Sequence, residues 1–411
     1  MAISHRQRIE AVRRNLLRWY ARHKRDLPWR RTDDPYAIWV SEVMLQQTRV
    51  VAATDYYLRF LERFPTVQAL AAARTHDVLK AWEGMGYYAR ARNLHRAARQ
   101  LVAERGGGLP ATAVELRALP GVGPYTAAAV ASIAFGADEP VLDGNVVRVF
   151  CRLFHVEADP RATATRRRLE RLARRLLPGG RAGDFNQALM ELGARVCVPG
   201  APRCERCPIR GVCRARASGA QGRLPRRGPA APLPHQTVVV GIVRKNGRVL
   251  IDRRPDTGLL GGLWEFPGGK VQPGETHPAA LRRELREEVG IEVQVGQRLA
   301  VVDHAYSHFR VTLHAYACRH VSGRARAIAP AAVTWVRLDE LDGYAFPRAN
   351  RWILAALPIK AEAHPVRLVA LGIVQRPEEP QHPGGGHTAQ AVLLLQQADI
   401  GPGHIVDEAE I

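Results

Sequence analysis

The stretch LPGVGPYTAAAV, residues 119–130, decides the fold of the first half of the chain. Gly121 and Gly123 lie in a short turn, and an Ala-rich run that begins with Pro124 and Tyr125 follows at once. Glycine, which lacks a side chain, lets the backbone turn and approach a phosphate closely. The stretch therefore predicts a tight turn before a helix N-terminus, whose amides can hold a phosphate. An ordinary turn between two helices is the alternative.

The sequence on both sides of this turn has the period of helices up to about residue 213. Apolar residues recur at spacings of three and four in VQALAAARTHDVLKAW (67–82) and RRRLERLARRLL (166–177). Residues 214–234 are rich in Pro, Gly, Ala and Arg and have no repeating apolar face. We therefore predict an all-helical domain over 1–213 and an exposed linker over 214–234.

The pattern changes to that of strands after the linker. Two β-rich runs flank Asn246-Gly247, which is the strongest short signal for a hairpin turn. We predict an α/β domain over 235–358. Residues 359–411 have weak periodicity, and we assign them no role.

Charge is concentrated in the helical half. Residues 1–225 hold 38 Lys and Arg against 20 Asp and Glu, which places +18 of the total +21 there. Such an excess favours a polyanionic partner, most simply nucleic acid, although a GC-rich genome that favours arginine is an alternative. No apolar run is long enough to span a membrane, and the N-terminus has no apolar signal region. We expect a soluble, cytoplasmic, nucleoid-associated bacterial protein that is a monomer.

Four of the six cysteines lie in CVPGAPRCERCPIRGVC, residues 197–213. Their spacing has one close pair and no histidine, whereas structural zinc usually takes two pairs of ligands that lie farther apart. Four cysteines at short range suit an iron–sulfur cluster, and disulfides are rare in the cytosol. The remaining alternatives are a zinc site or unrelated thiols. The predicted ligands of a 4Fe-4S cluster are Cys197, Cys204, Cys207 and Cys213.

The cysteine spacing and the 119–130 stretch together resemble the endonuclease III superfamily of DNA glycosylases, in which the glycine turn belongs to a helix-hairpin-helix. Members that also cut the DNA backbone place a lysine in this hairpin, because its amine forms a Schiff base with the sugar. Tyr125 stands in the hairpin here, and no lysine occurs between Lys80 and Lys245. The sequence therefore predicts a glycosylase without lyase activity.

Two carboxylates have the properties that N-glycosidic cleavage needs. Glu42 lies in the apolar run YAIWVSEVML, where burial would raise its pKa and allow it to hold a proton. Asp143, in VLDGNVVRV, precedes a predicted helix. A surface glutamate and a helix N-cap are the structural alternatives. As an acid and a stabilising carboxylate, the pair resembles the two carboxylates of glycoside hydrolases.

Residues 1 to about 355 resemble adenine DNA glycosylases, which remove adenine mispaired with 8-oxoguanine. The motifs LPWR, SEVMLQQT, GMGYYARARNLH, LPGVGPYTA, LDGNVVRV and FNQALMELGA carry the resemblance, together with the cysteine loop. It implies that Glu42 protonates adenine, that Asp143 stabilises the cationic sugar, and that Tyr125 and Asn145 assist. It implies further that Gln47 and Tyr87 insert into the DNA beside the lesion, since a base must be flipped out to be cleaved. The adenine pocket would be lined by Trp29, Arg30, Leu45 and Gln187.

The α/β domain contains an intact Nudix pattern in GKVQPGETHPAALRRELREEVGI, from Gly269. Glu284, Glu287 and Glu288 share a helix face at spacings of three and four, where they can hold Mg²⁺ beside a diphosphate. The stretch LLGGLWEFPGGKVQPGET (259–276) resembles hydrolases of 8-oxo-dGTP. In adenine glycosylases this domain usually serves to recognise 8-oxoguanine. Hydrolysis and lesion recognition both remain open.

HAYSHF (304–309) corresponds to the loop by which the family's second domain contacts 8-oxoguanine, which points to Ser307 and His308, with Tyr306 in place of the usual Phe. The sequence thus predicts a multidomain protein with an all-α helix-hairpin-helix DNA glycosylase domain and an α/β Nudix-like domain. Its expected partner is double-stranded DNA with an A:8-oxoguanine or A:G mispair. The alternatives are an endonuclease III-type enzyme or a thymine mismatch glycosylase.

Overall fold

The computed structural model describes residues 4–226, 228, 232–306 and 309–357. The chain divides at Pro232–Leu233 into a helical unit and an α/β unit. Among the described residues, no helix combines the length and the apolar character needed to cross a membrane.

The helical unit forms as its apolar periodicity predicts. Its helices are α1 (His5–His23), α2 (Pro35–Leu45), α3 (Val50–Arg63), α4 (Val67–Ala72), α5 (Thr75–Ala81), α6 (Ala89–Arg105), α7 (Ala113–Leu116), α8 (Pro124–Ala134), α9 (Gly144–Leu153), α10 (Thr163–Leu176), α11 (Ala182–Arg195) and α12 (Arg214–Ala217). Single 3-10 turns lie at Pro28–Arg30, Cys204–Arg206 and Arg210–Val212.

Helix α2 is the central helix of the unit. Every residue from 36 to 44 is buried, which is the behaviour of a helix that is apolar on all sides. Asp34 begins the helix by accepting hydrogen bonds from the backbone amides of Tyr36 (3.0 Å) and Ala37 (3.4 Å). Contacts with α3, α6 and α8 enclose it. A side chain on α2 is therefore held by packing on all sides.

The glycine turn of 119–130 joins α7 to α8 as a helix-hairpin-helix. Gly121 has φ +72°, and a Cβ there would lie 2.5 Å from the Cβ of Asn93 on α6. Gly123 is the N-cap of α8, with no atom within 4 Å of a Cβ built on it. The hairpin thus needs glycine at Gly121 for close packing, and it leaves open space at Gly123.

The segment after the cysteine loop differs from its prediction as an exposed linker over 214–234. Residues 214–217 form α12, and Ala215, Ala220 and Leu224 are fully buried in a small cluster against Cys213. Arg152 of α9 donates to the carbonyl of Leu224 at 2.8 Å. Small side chains can be buried without a repeating apolar pattern, so the composition of this segment did not reveal its packing.

The α/β unit has one seven-stranded sheet. Its strands are β1 (His235–Lys245), β2 (Arg248–Arg253), β3 (Trp264–Glu265), β4 (Gly268–Lys270), β5 (Glu292–Ala305), β6 (Arg310–Ser322) and β7 (Ala332–Arg337). The order is β3-β2-β1-β6-β5, with β4 paired to β1 and β7 paired to β2. Among these seven described strands, only β1 and β6 pair in parallel. The predicted turn at Asn246-Gly247 joins β1 to β2, with Lys245 opposite Arg248.

Two helices cover the two faces of this sheet. Alternate residues of β1 point to opposite faces, so Val239 and Val243 pack with α13 (His277–Val289) while Val240 and Ile242 pack in the core that contains α14 (Arg348–Ala356). The α13 layer carries the three glutamates of the Nudix pattern. The result is a three-layer α/β/α unit.

Candidate active site

Glu42 is buried on the central helix α2. The residue is 5 % exposed, and burial raises the pKa of its carboxyl from an ordinary 4.5 to about 7. The hydrogen bond from Tyr125 and the charge of Arg30 lower this pKa, whereas the charge of Asp143 raises it. The burial and raised pKa expected from the sequence are confirmed. Glu42 can therefore hold a proton near neutral pH.

Tyr125, in the first turn of α8, connects the hairpin to this carboxyl. Its hydroxyl donates to Glu42 Oε2 at 2.8 Å and lies 3.2 Å from the Sδ of Met190 on α11. Burial and the nearby carboxylates of Glu42 and Asp143 raise the pKa of Tyr125 well above its usual range. The phenol is thus a neutral donor that holds one oxygen of Glu42.

Asp143 is the N-cap of α9, as the structural alternative predicts. Its Oδ1 accepts from the amide of Val146 at 2.7 Å, and its Oδ2 accepts from Asn145 Nδ2 at 2.8 Å. The Asn145 side chain also accepts from Arg148 at 2.8 Å. Capping and the hydrogen bond from Asn145 fix both oxygens of Asp143, and its charge is close enough to affect Glu42.

Gly193 of α11 permits this arrangement. A Cβ at Gly193 would lie 2.6 Å from the Cβ of Asn145 and 3.1 Å from its Cα. The guanidinium of Arg148 also donates to the carbonyl of Gly193 at 2.8 Å. Helices α9 and α11 can therefore approach closely at the point where Asp143 begins α9.

The four residues predicted to line the adenine pocket lie on three segments of the helical unit. Arg30 donates to the buried carboxylate of Glu191 at 2.9 Å and lies over the ring of Tyr20. Tyr20 in turn donates to Gln187 at 3.1 Å. Trp29 is buried and packs edge-to-face with Tyr57 (ring centroids 5.3 Å apart), and Leu45 is half-buried at the end of α2. The structure thus joins Arg30 and Gln187 through Tyr20.

Gln47 and Tyr87 lie on two loops, and both are exposed. Their backbones are left-handed, with φ +56° at Gln47 and φ +48° at Tyr87. Residues other than glycine adopt a left-handed backbone conformation only where surrounding contacts enforce it. These two loops are therefore built to hold exposed side chains in set directions.

The cysteine loop packs against the same helix that begins at Asp143. Arg148 and Arg152 of α9 donate to the carbonyl of Cys197 at 2.7 Å and 3.2 Å, and Arg152 lies 3.3 Å from the Cys197 sulfur. All four loop cysteines are free thiols. Burial, together with the charges of the other three thiols, raises the pKa of Cys207 to about 12. The four cysteines thus share one partly buried loop, although their side chains, as the structure describes them, are not arranged as a metal site.

In the α/β unit, the Nudix glutamates are arranged around Arg283. This guanidinium pairs with Glu275 (3.0 Å), Glu284 (2.9 Å) and Glu287 (3.2 Å). Gly269 leaves room for Glu284, because a Cβ at Gly269 would lie 2.3 Å from its carboxyl carbon. The pattern Gly269…Glu284 thus reflects direct packing of α13 on β4.

Glu288 faces further acids on the sheet. Burial raises its pKa to about 7, and the charges of Glu284 and Glu265 add to this. Asp252 of β2 is 3 % exposed, its Oδ1 has no hydrogen-bond partner, and burial with the charges of Glu265 and Glu288 raises its pKa well above 3.8. Arg254 pairs with Glu265 at 2.8 Å.

Within the described residues, no group of three or more His, Cys, Asp or Glu is arranged to hold a metal ion. Ser307 and His308 lie outside those residues.

Several residues around these sites were not predicted. Glu191 and Met190 lie in ALMELGA, and Glu191 has the same signal as Glu42, a carboxylate inside an apolar run. Arg90 and Arg148 are buried arginines that bind backbone carbonyls. No pattern in the sequence distinguishes them from the many exposed arginines of this chain.

Comparison with known proteins agrees with this architecture. Residues 40–175 match the HhH-GPD superfamily of base excision DNA repair proteins, and residues 238–356 match the NUDIX domain. The chain is 39 % identical over 386 residues to the adenine DNA glycosylase of Mus musculus, covering 81 % of this chain and 75 % of that protein. It is 38 % identical over 388 residues to that of Homo sapiens, covering 81 % and 71 %. A solved thermostable thymine-DNA glycosylase is 31 % identical, with 52 % of this chain and 98 % of that one covered and a TM-score of 0.49.

The chain is therefore a helix-hairpin-helix base excision repair enzyme that carries a NUDIX domain, as its fold and the two family matches indicate. The predicted fold class is confirmed. Because the similarity to the mammalian proteins extends over most of the chain, it belongs to the adenine DNA glycosylase family, enzymes that hydrolyse an N-glycosyl bond. The family predicted from the sequence is confirmed.

Proposed function

We propose that the helical unit excises adenine mispaired with 8-oxoguanine or guanine in double-stranded DNA, by acid-assisted hydrolysis and without lyase activity. The observation that carries the proposal is the hydrogen-bonded pair of Glu42 and Tyr125 beside Asp143, with a Glu42 pKa of about 7. Such a pKa is suited to a general acid at neutral pH, because both protonation states are accessible there.

In the proposed reaction, the bond between C1′ and N9 breaks and its electron pair goes to adenine, whose N7 takes the proton of Glu42. The carboxylate of Asp143 stabilises the positive charge that develops on the sugar. Water then adds to C1′ and releases its proton to the carboxylate of Glu42. Tyr125 and Asn145 keep the two carboxyl groups in place through the hydrogen bonds of 2.8 Å that each donates.

Recognition of the target uses the residues around this centre. Trp29, Arg30, Leu45 and Gln187 form the adenine pocket, and Glu191 orients Arg30. Gln47 and Tyr87 fill the gap that the flipped base leaves. The hairpin amides near Gly121 and Gly123 bind a backbone phosphate, since the open space at Gly123 admits it.

We also propose that Cys197, Cys204, Cys207 and Cys213 hold a 4Fe-4S cluster. The chemistry of the donors fits, because such clusters are held by four cysteine thiolates and all four cysteines of this loop are free thiols. Helix α9 anchors the loop through the hydrogen bonds of Arg148 and Arg152 to the Cys197 carbonyl. The cluster would supply structural cross-linking of this loop. Arg152, near the Cys197 sulfur, would stabilise the negative charge of a bound thiolate.

A substitution experiment tests whether Asp143 takes part in catalysis or only caps helix α9. Asn caps helices as well as Asp does, so Asp143→Asn should preserve the fold and DNA binding while slowing excision by a factor of about 10² to 10⁴. Asp34→Asn, at the N-cap of α2, is the matched control and should excise at the normal rate. Equal, mild effects of the two variants would leave Asp143 a structural cap.

For the α/β unit we propose recognition of 8-oxoguanine in DNA, with Ser307 and His308 as the contacts that the family resemblance implies. A second candidate is Mg²⁺-dependent hydrolysis of 8-oxo-dGTP by Glu284, Glu287 and Glu288. The Asp252 Oδ1 that has no hydrogen-bond partner and the raised pKa of Glu288 favour it, because a divalent cation would relieve the repulsion among these acids.

The full chain can test this second candidate. It should release pyrophosphate from 8-oxo-dGTP at millimolar Mg²⁺, and Glu287→Gln should abolish that release while adenine excision persists. Asp143→Asn is the reciprocal control, because it should lose excision and keep hydrolysis. Absence of pyrophosphate release by the unaltered protein would leave the unit a lesion-reading module.

A further inference from the structure

Arg90, at the start of α6, is a buried cation. It is 8 % exposed, and no carboxylate among the described residues pairs with it. Burial lowers the pKa of its guanidinium to about 10, so it remains charged at neutral pH. A buried charge persists only where polar groups surround it, and here those groups are backbone carbonyls at the end of α2 and in two loops, together with the Thr48 hydroxyl.

The first loop follows α2. Arg90 Nη1 donates to the carbonyls of Val43 and Met44, both at 3.0 Å, and also to that of Gln46. Its Nη2 donates to Thr48 Oγ1 at 3.2 Å. The last carbonyls of a helix lack partners within it and form its negative end, which suits a cation. Arg90 therefore fixes the chain on both sides of Gln47.

The second loop precedes α6. Arg90 Nη2 donates to the carbonyls of Met85 (3.4 Å) and Gly86 (3.2 Å), and its Nε donates to that of Tyr87 (3.4 Å). The guanidinium also lies 5.4 Å from the ring centroid of Tyr87. One side chain thus contacts the backbone at Tyr87 and on both sides of Gln47.

Both contacted loops carry a left-handed residue that is not glycine. Such a conformation is sterically disfavoured for a residue with a Cβ and persists only where surrounding contacts impose it. The two residues are Gln47 (φ +56°) and Tyr87 (φ +48°). The hydrogen bonds of Arg90 supply such contacts in both loops.

We propose that Arg90 is a positioning residue that holds Gln47 and Tyr87 as one rigid unit, so that the two side chains enter DNA together. This inference rests on the proposed insertion of both residues. Lysine cannot replace Arg90, because its single ammonium group lacks the planar fork that reaches both loops at once.

Hydrogen exchange of the free, full-length protein tests the coupling without DNA. Arg90→Lys should increase amide exchange in residues 46–48 and 85–88 together. Thr48→Val removes one contact of Arg90 and the hydrogen bond that Thr48 Oγ1 donates to the Gln46 carbonyl at 3.3 Å. It should increase exchange in 85–88 as well as in 46–48. Arg105→Lys, on the exposed last turn of the same helix, is the control and should change neither segment. If Thr48→Val increased exchange in residues 46–48 alone, the coupling would be refuted. This result can be obtained even if Arg90→Lys itself fails to fold.

A binding cycle on a duplex with adenine opposite 8-oxoguanine tests the consequence. In the unaltered background, the effects of Gln47→Ala and Tyr87→Ala on Kd should depart from additivity by about fivefold, as expected of groups in one network. In the Arg90→Lys background they should add. Additivity in both backgrounds would refute joint entry. A protein that shows coupled hydrogen exchange but no preference for the mispaired duplex would instead contradict the proposed function.

Discussion

Replacing Tyr125 with Phe should move the pH dependence of excision to higher pH. The Tyr125 hydroxyl donates to Glu42 Oε2 at 2.8 Å, and this bond lowers the Glu42 pKa that burial raises to about 7. Without the hydroxyl, the charged form of Glu42 loses a donor and the protonated form is favoured. The acid should therefore stay protonated to a higher pH.

The size of the shift follows from the strength of the lost bond. A hydrogen bond to a charged acceptor contributes about 1.5 to 3 kcal/mol, against about 0.5 to 1.5 kcal/mol for a neutral one. The difference of about 1 to 1.5 kcal/mol corresponds to about one pKa unit. The maximal rate should also fall, because Tyr125 no longer orients the acid.

Single-turnover excision measured between pH 5 and 9 provides the assay. Both proteins should lose rate tenfold per pH unit on the alkaline side, with the limb of Tyr125→Phe displaced upward by about one unit. The comparison uses the difference between the two profiles, because bound DNA affects both. An unmoved limb, or a limb displaced to lower pH, would refute the assignment of Glu42 as the acid held by Tyr125.

Three further predictions concern stability, the cysteine loop and the lesion. The Glu42 pKa is higher in the folded than in the unfolded protein, so the free energy of unfolding should fall by up to about 3 kcal/mol as pH rises from 4.5 to 7. Glu42→Gln should therefore raise Tm more at pH 8 than at pH 5. An equal change of Tm at both pH values would contradict this. The purified protein should contain about four irons, and Cys204→Ser should lose iron and visible colour; a colourless, zinc-containing, active protein would contradict the cluster. Ser307→Ala with His308→Ala should reduce discrimination between 8-oxoguanine and guanine by about 1 to 3 kcal/mol in relative binding, and an unchanged ratio would place lesion reading elsewhere.

The centre of the site was accessible from sequence because its residues carry local signals. Glu42 is a charge inside an apolar run, and Asp143 stands before a helix that it caps. The hairpin turn at Asn246-Gly247 and the change from helical to strand periodicity likewise depend on neighbouring residues. Such features survive without knowledge of tertiary contacts.

The supporting residues were not accessible in the same way. Arg90 and Arg148 bind carbonyls 44 to 49 residues away in sequence, a contact that the local sequence does not encode. The sequence around Gly193 does not show why glycine is needed there, because the reason is the close packing of α9 against α11. The buried Ala215 and Ala220 were predicted to be exposed because small side chains give no apolar period.

The central claim is tested most directly with a duplex that contains one adenine opposite 8-oxoguanine. The unaltered protein should release adenine and leave an abasic strand that breaks only after hot alkali, and Glu42→Gln should bind the same duplex while adenine release nearly stops. Strand cleavage without alkali, or release at the normal rate by Glu42→Gln, would contradict acid-assisted excision by Glu42.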